Sequence, residues 1–229
     1  MSKESASATL SHSKMCSPDD LETSLFLNEN VSYRKISPAK IQLICHTSAK
    51  DAYLAWESIP KRPQEHASCL HLKNCMFCSP IYLTKENHSA EINSSTYYYF
   101  DSFEYVQYLN SCENPSLIIP ILLVQQPDPD IIERRAWSEL AKLIFSRILD
   151  PQVGAACLLS KINEMPTEIL HLLFGTSDLS VSDFRELHGL SQNQYDNQLK
   201  KWREYQKSNQ KSDVKVSFAS ILGQINAKN

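Results

Sequence analysis

Residues 167–205 read TEILHLLFGTSDLSVSDFRELHGLSQNQYDNQLKKWREY, and this stretch determines the predicted fold of the C-terminal part of the chain. Apolar residues from Ile169 to Phe174 predict a first helix, which Thr167 caps and Gly175 ends. A second, shorter helix is predicted to begin after Ser180, where a serine is followed by polar residues and then by an apolar position. Two consecutive short helices are therefore expected before the turn at Gly189.

The third predicted helix follows that turn. Ser191 is its expected N-cap, and the helix runs from about Gln192 to Gln206. Its inward face is marked by apolar residues that recur at helical spacing, namely Tyr195, Leu199 and Trp202. The second and third predicted helices are joined by the glycine turn, and the helix after the turn exposes polar residues. This is the pattern of a helix-turn-helix.

The polar face of the third helix carries the side chains that DNA recognition requires. Asparagine and glutamine amides can form paired hydrogen bonds with adenine in the major groove. The candidates for base contacts near the helix start are Ser191, Gln192, Asn193, Gln194, Asn197 and Gln198. The candidates for phosphate contacts are Lys200, Lys201 and Arg203, and further lysines follow at positions 207, 211 and 215. The expected partner is therefore DNA.

The segment SVSDFRELHGLSQNQYDNQLKKW resembles the winged helix-turn-helix of bacterial regulators without a gap. The resemblance implies that the third helix enters the major groove, with a wing strand where Val214 and Val216 alternate. Two alternatives stay open for the same residues. Either the polar face is a solvated bundle surface, or the apolar helices at 131–148 and 151–162 make the chain a protein-interaction adaptor.

A cluster of cysteines and histidines lies upstream, in the run His66 to Cys78. The spacing of Cys75 and Cys78 lets a tight turn point both thiolates at one ion, and Zn²⁺ prefers four such sulfur and nitrogen ligands. The predicted ligands are Cys69, His71, Cys75 and Cys78, with His66 as the alternative histidine. Half-buried cysteines without metal, and redox or iron–sulfur chemistry, are the competing interpretations.

This run, HASCLHLKNCMFC, resembles a cysteine-containing segment near the C-terminus of integrase-like proteins, the tyrosine recombinases of mobile elements. Upstream, His46 and Tyr53 resemble that family's histidine and nucleophilic tyrosine. The resemblance implies a non-catalytic relative or accessory protein, with a recombinase or another protein as a second partner. We predict no catalytic residue and no enzyme.

Composition sets the remaining limits. The chain has 229 residues, 42% of them hydrophobic and 21% charged, and a net charge of −3, which permits a globular core. Only 4 glycines are present, and no glycine-rich phosphate loop occurs, which argues against Rossmann and P-loop enzymes. The sequence contains no apolar stretch long enough to cross a membrane and no signal-peptide core, so we expect a cytoplasmic protein without a membrane partner.

The predicted fold class is mainly α, with a small zinc-knuckle-like element and the C-terminal helix-turn-helix. Residues 38–57, 130–149 and 151–163 are expected to be helical, and the tyrosine triplet at 97–99 is a strand or a helix. Three parts are predicted along the chain: a flexible tail at 1–28, a Cys/His-containing aromatic region at 29–126, and a helical region at 127–229. The function these features predict is a non-catalytic DNA-binding regulator or accessory protein of a mobile genetic element.

Overall fold

The computed structural model describes residues 31–62, 81–85, 96–111, 117–146 and 148–208. A five-stranded sheet has the spatial order β1-β5-β3-β4-β2. Its strands are β1 (Val31–Ile36), β2 (Gln42–Cys45), β3 (Ile81–Thr84), β4 (Thr96–Tyr99) and β5 (Ile119–Val124). β1 pairs with β5 and β3 with β4 in antiparallel fashion, whereas β2–β4 and β3–β5 are parallel, so the sheet is mixed.

Seven α-helices accompany this sheet in the described part of the chain. They are α1 (Lys50–Ser58), α2 (Phe103–Ser111), α3 (Pro129–Leu143), α4 (Gly154–Ile162), α5 (Thr167–Phe174), α6 (Val181–His188) and α7 (residues 192–208). Short 3-10 turns at Pro38–Lys40 and Thr47–Ala49 flank β2. No described helix has the length and apolar character needed to span a bilayer.

The prediction of a mainly α-helical chain is therefore wrong, because the fold is α/β. The expected helix at 38–57 is a helix only from Lys50, since Gln42–Cys45 pairs with β4 instead. The apolar stretch around Pro120 is an interior strand, although proline is rarely found within interior strands. The predicted zinc-knuckle-like element, the 1–28 tail and the wing strand all lie outside the described residues.

The core extends from the sheet into the helices. Cross-strand partners Ile81 and Ile121, and Leu83 and Leu123, form a buried face of the sheet. An aromatic cluster of Tyr53, Trp56, Tyr99 and Phe103 connects α1, β4 and α2, with ring centroids 5.3–6.3 Å apart. Buried residues of the sheet and of α3 to α7 belong to one contiguous hydrophobic cluster, so the C-terminal helices rest on the sheet-containing part.

Helix starts and stops in the second half agree with the local chemistry of the sequence. Asp128 caps α3 by accepting a 2.9 Å hydrogen bond from the Asp130 amide, and Pro129 occupies the first turn. The predicted helix at 130–149 stops at Leu143. The predicted helix at 151–163 is α4, Gly154–Ile162.

Gly154 is required at the start of α4 by close approach. A Cβ at this position would lie 2.9 Å from the Leu149 Cβ and 3.2 Å from the Pro60 oxygen. The segment before α4 also pairs with the chain after α1, through an isolated antiparallel bridge between Lys61 and Leu149. The start of α4 is thus held against the end of α1.

Candidate nucleic-acid interface

The candidate interface is built on α5, α6 and α7. Gly175 and Gly189 end α5 and α6 in the left-handed conformation, with φ of 71° and 72°. Only glycine adopts this conformation without strain from a Cβ, so each helix stops where the sequence predicted. Ser180 caps α6 by accepting a hydrogen bond from the Asp183 amide. Helix, glycine turn and helix therefore occur in the predicted order.

The start of α7 is held by a reciprocal pair of side-chain contacts. The Ser191 hydroxyl accepts a 3.3 Å hydrogen bond from the Gln194 amide, and Gln194 Oε1 accepts 2.9 Å bonds from the Ser191 amide and hydroxyl. Ser191 is thus the N-cap that the sequence predicted. Thr167 is not a cap, because it is already the first residue of α5 and Pro166 precedes it.

An aromatic contact joins α6 and α7. Phe184 of α6 is fully buried, and its ring lies 6.2 Å from Tyr195 of α7 and 5.6 Å from His188. Tyr195 and Trp202 are buried and Leu199 is half-buried, which confirms the predicted inward face of α7.

A contact that the sequence does not reveal ties this unit to α4. The Asn163 side chain donates to the Leu179 carbonyl at 3.1 Å and accepts from the Leu179 amide at 3.0 Å. Because both bonds involve the backbone of one residue, they fix the loop that leads into α6. The sequence shows only that Asn163 lies at the end of a predicted helix, and this does not identify Leu179 as the residue to which it binds.

The outward face of α7 presents Asn193, Asn197 and Lys200, spaced by four and three residues and all exposed. Within the described part of the chain, no side-chain hydrogen bond or ion pair occupies these three residues. Lys201 and Arg203 are exposed on either side of this row. Together the five residues are the outward row, which offers amide groups first and cations further along the helix.

The predicted glutamines behave differently from the asparagines. Gln192 accepts from Arg185 and donates to Asp196 at 2.9 and 3.0 Å, and Gln194 is part of the cap. Gln198 does not face outward as predicted: only 9% of it is exposed, and its Oε1 accepts the Ala155 amide at 3.0 Å. The spacing contained this signal, since Gln198 lies three residues after Tyr195 and four before Trp202, on the inward face.

The charge on α7 is positive but mixed. Residues 192–208 contain Lys200, Lys201, Arg203 and Lys207 against Asp196 and Glu204. Four cations against two carboxylates leave the cations as the majority on this helix. A local excess of this kind attracts a polyanion even on a chain whose net charge is −3.

The predicted metal ligands Cys69, His71, Cys75 and Cys78 lie outside the described residues. Within the described ranges, no group of three or more metal-ligating side chains occurs. Two cysteines are described there, Cys45 and Cys157, and burial raises their pKa values to about 11 and about 12. Thiols with such pKa values stay protonated at neutral pH, so neither is an activated nucleophile.

Tyr53, which carries the integrase resemblance, is one of the aromatic side chains of α1. Its hydroxyl donates a 3.1 Å hydrogen bond to Glu57, and its ring contacts Trp56 and Phe103. Burial raises the pKa of Tyr53 further above its ordinary value. A nucleophilic tyrosine needs the opposite shift, so this geometry supplies no activation for attack on a phosphate.

No protein-family model matches the sequence, and comparison with curated proteins gives no match.

Proposed function

We propose that this chain is a non-catalytic protein that binds double-stranded DNA through α7. The observation that carries the proposal is the outward row, in which the Asn193 and Asn197 amides have no partner among the described residues and Lys200 follows one turn later. In a helix-turn-helix, residues near the start of the recognition helix, which is α7 in this chain, contact base edges. Asparagine pairs with adenine there, while Lys200, Lys201 and Arg203 lie where phosphates are neutralised.

The competing adaptor function is weakened by how α3 and α4 are packed. The residues of α4 from Gly154 to Leu159 are buried, and α3 buries Ile132, Ala136 and Leu140. An adaptor that docks a partner through these helices needs an apolar face that is not already used. Apart from Tyr205, the exposed groups on α7 are polar or charged, with cations in excess, which suits a nucleic acid better than an apolar partner.

The role as a regulator or as an accessory protein of a mobile element is part of the same proposal. It rests on the two resemblances in the sequence, and a recombinase or another protein is the second partner that it implies. The proposal is of a binding function, so binding is the activity to be measured first.

Replacing Lys200 and Lys201 together by alanine tests DNA binding. Each phosphate contact contributes about 0.9 to the slope of log affinity against log salt, so the slope should fall by about 2. At 0.15 M salt, the same relation predicts an affinity loss of about thirtyfold. The measurement is fluorescence anisotropy with a mixed-sequence duplex over a range of salt concentrations.

The matched control removes the same charge elsewhere. Lys40 and Lys50 are both exposed, in the 3-10 turn before β2 and at the start of α1. The Lys40→Ala/Lys50→Ala variant should bind DNA as the unaltered chain does. Equal losses in both double variants, or no duplex binding by the unaltered chain at about 50 mM salt, would contradict the proposal.

Zinc is a further part of the proposal, with Cys69, His71, Cys75 and Cys78 as its ligands. Protein purified without chelators should contain a single zinc ion, as measured by elemental mass spectrometry. The Cys75→Ser variant should lose it, whereas Cys45→Ser, which alters a half-buried thiol of β2, should retain it. A zinc-free native protein would rule the site out.

A further inference from the structure

A cleft of about 430 Å³ lies along one flank of α7. One wall consists of α7 side chains, among them Asn197, Gln198 and Lys201. The other wall comes from the chain segments on either side of the Lys61–Leu149 bridge, with Arg62 and Asp150. The cleft therefore joins the helix proposed to bind DNA to the sheet-containing part of the molecule.

Arg62 is fixed at this cleft by the backbone opposite it. Its amide donates to the Ile148 carbonyl at 2.8 Å, and its Nε donates to the Leu149 carbonyl at 3.1 Å. The two Nη groups have no hydrogen-bond partner among the described residues. A guanidinium held in this way keeps its paired donors available, and their geometry matches two oxygens of a phosphate.

Two side chains of α7 add further donors to the cleft. Among the described residues, Lys201 Nζ contacts Gln152 Oε1 alone, at 3.4 Å, and has no carboxylate partner, so its charge is available. Gln198 uses its Oε1 on the Ala155 amide, which leaves its Nε2 group without a partner in the described part of the chain. The amide of a nine-tenths-buried side chain thus lines the cleft as an unused donor.

Negative charge in the cleft is limited to one described residue, Asp150. One of its oxygens accepts a 2.6 Å hydrogen bond from the Gln152 amide. His188 also lines the cleft, and burial lowers its pKa, so it adds no positive charge at neutral pH. Two permanent cations against one carboxylate favour an anion.

Asn197 and Lys201 belong both to the cleft and to the outward row. A DNA strand lying along α7 would therefore pass the mouth of the cleft. We infer that the cleft binds a backbone phosphate of the DNA, with Arg62 and Lys201 as its two cationic contacts. This inference rests on the proposed function and adds a contact from outside the helical unit.

The test compares Arg62→Ala with Arg34→Ala, which removes an exposed arginine from the edge strand β1. Loss of one phosphate contact should lower the salt slope by about 1 and weaken binding about fivefold at 0.15 M salt. The loss should be uniform across duplex sequences, because phosphates carry no base information. Arg62→Lys should restore most of the slope, which a purely structural role of the guanidinium would not predict.

The outcomes separate the inference from the function on which it rests. If Lys200→Ala/Lys201→Ala weakens DNA binding while Arg62→Ala behaves like Arg34→Ala, the cleft assignment is overturned and DNA binding stands. If the unaltered chain binds no duplex, both fail. Inorganic pyrophosphate, titrated by calorimetry, is the second arm: saturable binding that requires Arg62, without any DNA binding, would assign the cleft to a small phosphate ligand instead.

Discussion

Replacing Asp101 by alanine is expected to lower the free energy of unfolding by about 3–5 kcal/mol. Asp101 follows β4 and is almost fully buried, with its side chain 3% exposed beside an Arg135 side chain that is 8% exposed. Arg135 donates to Asp101 Oδ2 through Nη2 at 2.6 Å and through Nε at 3.1 Å. Without the carboxylate, the buried guanidinium loses the acceptor of both of these charge-assisted hydrogen bonds.

The surroundings of the pair explain why solvent cannot substitute for Asp101. The guanidinium lies over the Tyr82 ring at 3.9 Å, and the second carboxylate oxygen accepts a 3.2 Å bond from the Ser102 hydroxyl. Ser102 itself has a φ of 55°, which is unfavourable for a residue with a Cβ. The Asp101–Arg135 pair therefore connects the loop between β4 and α2 with the middle of α3 and with Tyr82 of β3.

A double-mutant cycle in urea measures this coupling. Arg135→Met should destabilise by a comparable amount, because it leaves the buried Asp101 carboxylate without its cationic partner. The double variant should be more stable than the sum of the single losses predicts. Glu164→Ala is the control, since it breaks an exposed 2.8 Å pair with Lys161 and should cost about 0–1 kcal/mol. A loss below about 1 kcal/mol for Asp101→Ala would show that the pair does not stabilise the fold.

Local chemistry made the helical end of the chain predictable. Glycines at positions 175 and 189, and serines at 180 and 191, mark helix ends through the conformations and hydrogen bonds of single residues. Such signals act within one turn of helix, so they do not depend on the rest of the fold. The outward row was predictable from helical periodicity, whereas Gln198, which was predicted to face outward, is buried.

The sheet was not predictable by the same means. β2 lies within a stretch whose apolar residues also fit a helix, and its strand conformation depends on pairing with β4, about fifty residues away. β5 contains Pro120, which removes a backbone donor and argues against an interior strand. Strand pairing depends on residues far apart in the chain. The local sequence of one strand does not identify the strand with which it pairs.

Two features of the site could not be predicted from sequence patterns, namely a shared cleft and a pair of hydrogen bonds. Arg62 and Lys201 line one cleft although 139 positions separate them in the chain. Asn163 and Leu179 meet because α4 and the loop before α6 are packed together. Contacts of this kind follow from the tertiary fold, so they become visible only once the sheet and its helices are in place.

The second large effect is expected at Phe184. Its replacement by alanine should cost about 3–5 kcal/mol, because the ring is fully buried and the space it leaves cannot be refilled by Tyr195 alone. Phe184→Leu should cost less, since leucine restores part of the volume. Leu172→Ala in α5 serves as the control: this side chain is 46% exposed, and its loss should change stability by about 0.5 kcal/mol or less.

Phe184 also connects stability to the proposed DNA binding. Its ring packs against Tyr195 on the buried side of α7, so its loss should free α7 before the sheet unfolds. Hydrogen exchange should then increase in residues 181–208 more than in β3 and β5. The DNA affinity measured in the salt titration should fall in the same variant in which exchange in α7 becomes faster. Faster exchange in α7 with unchanged DNA affinity would mean that DNA binding does not need this helix held in place, and would count against α7 as the DNA-binding element.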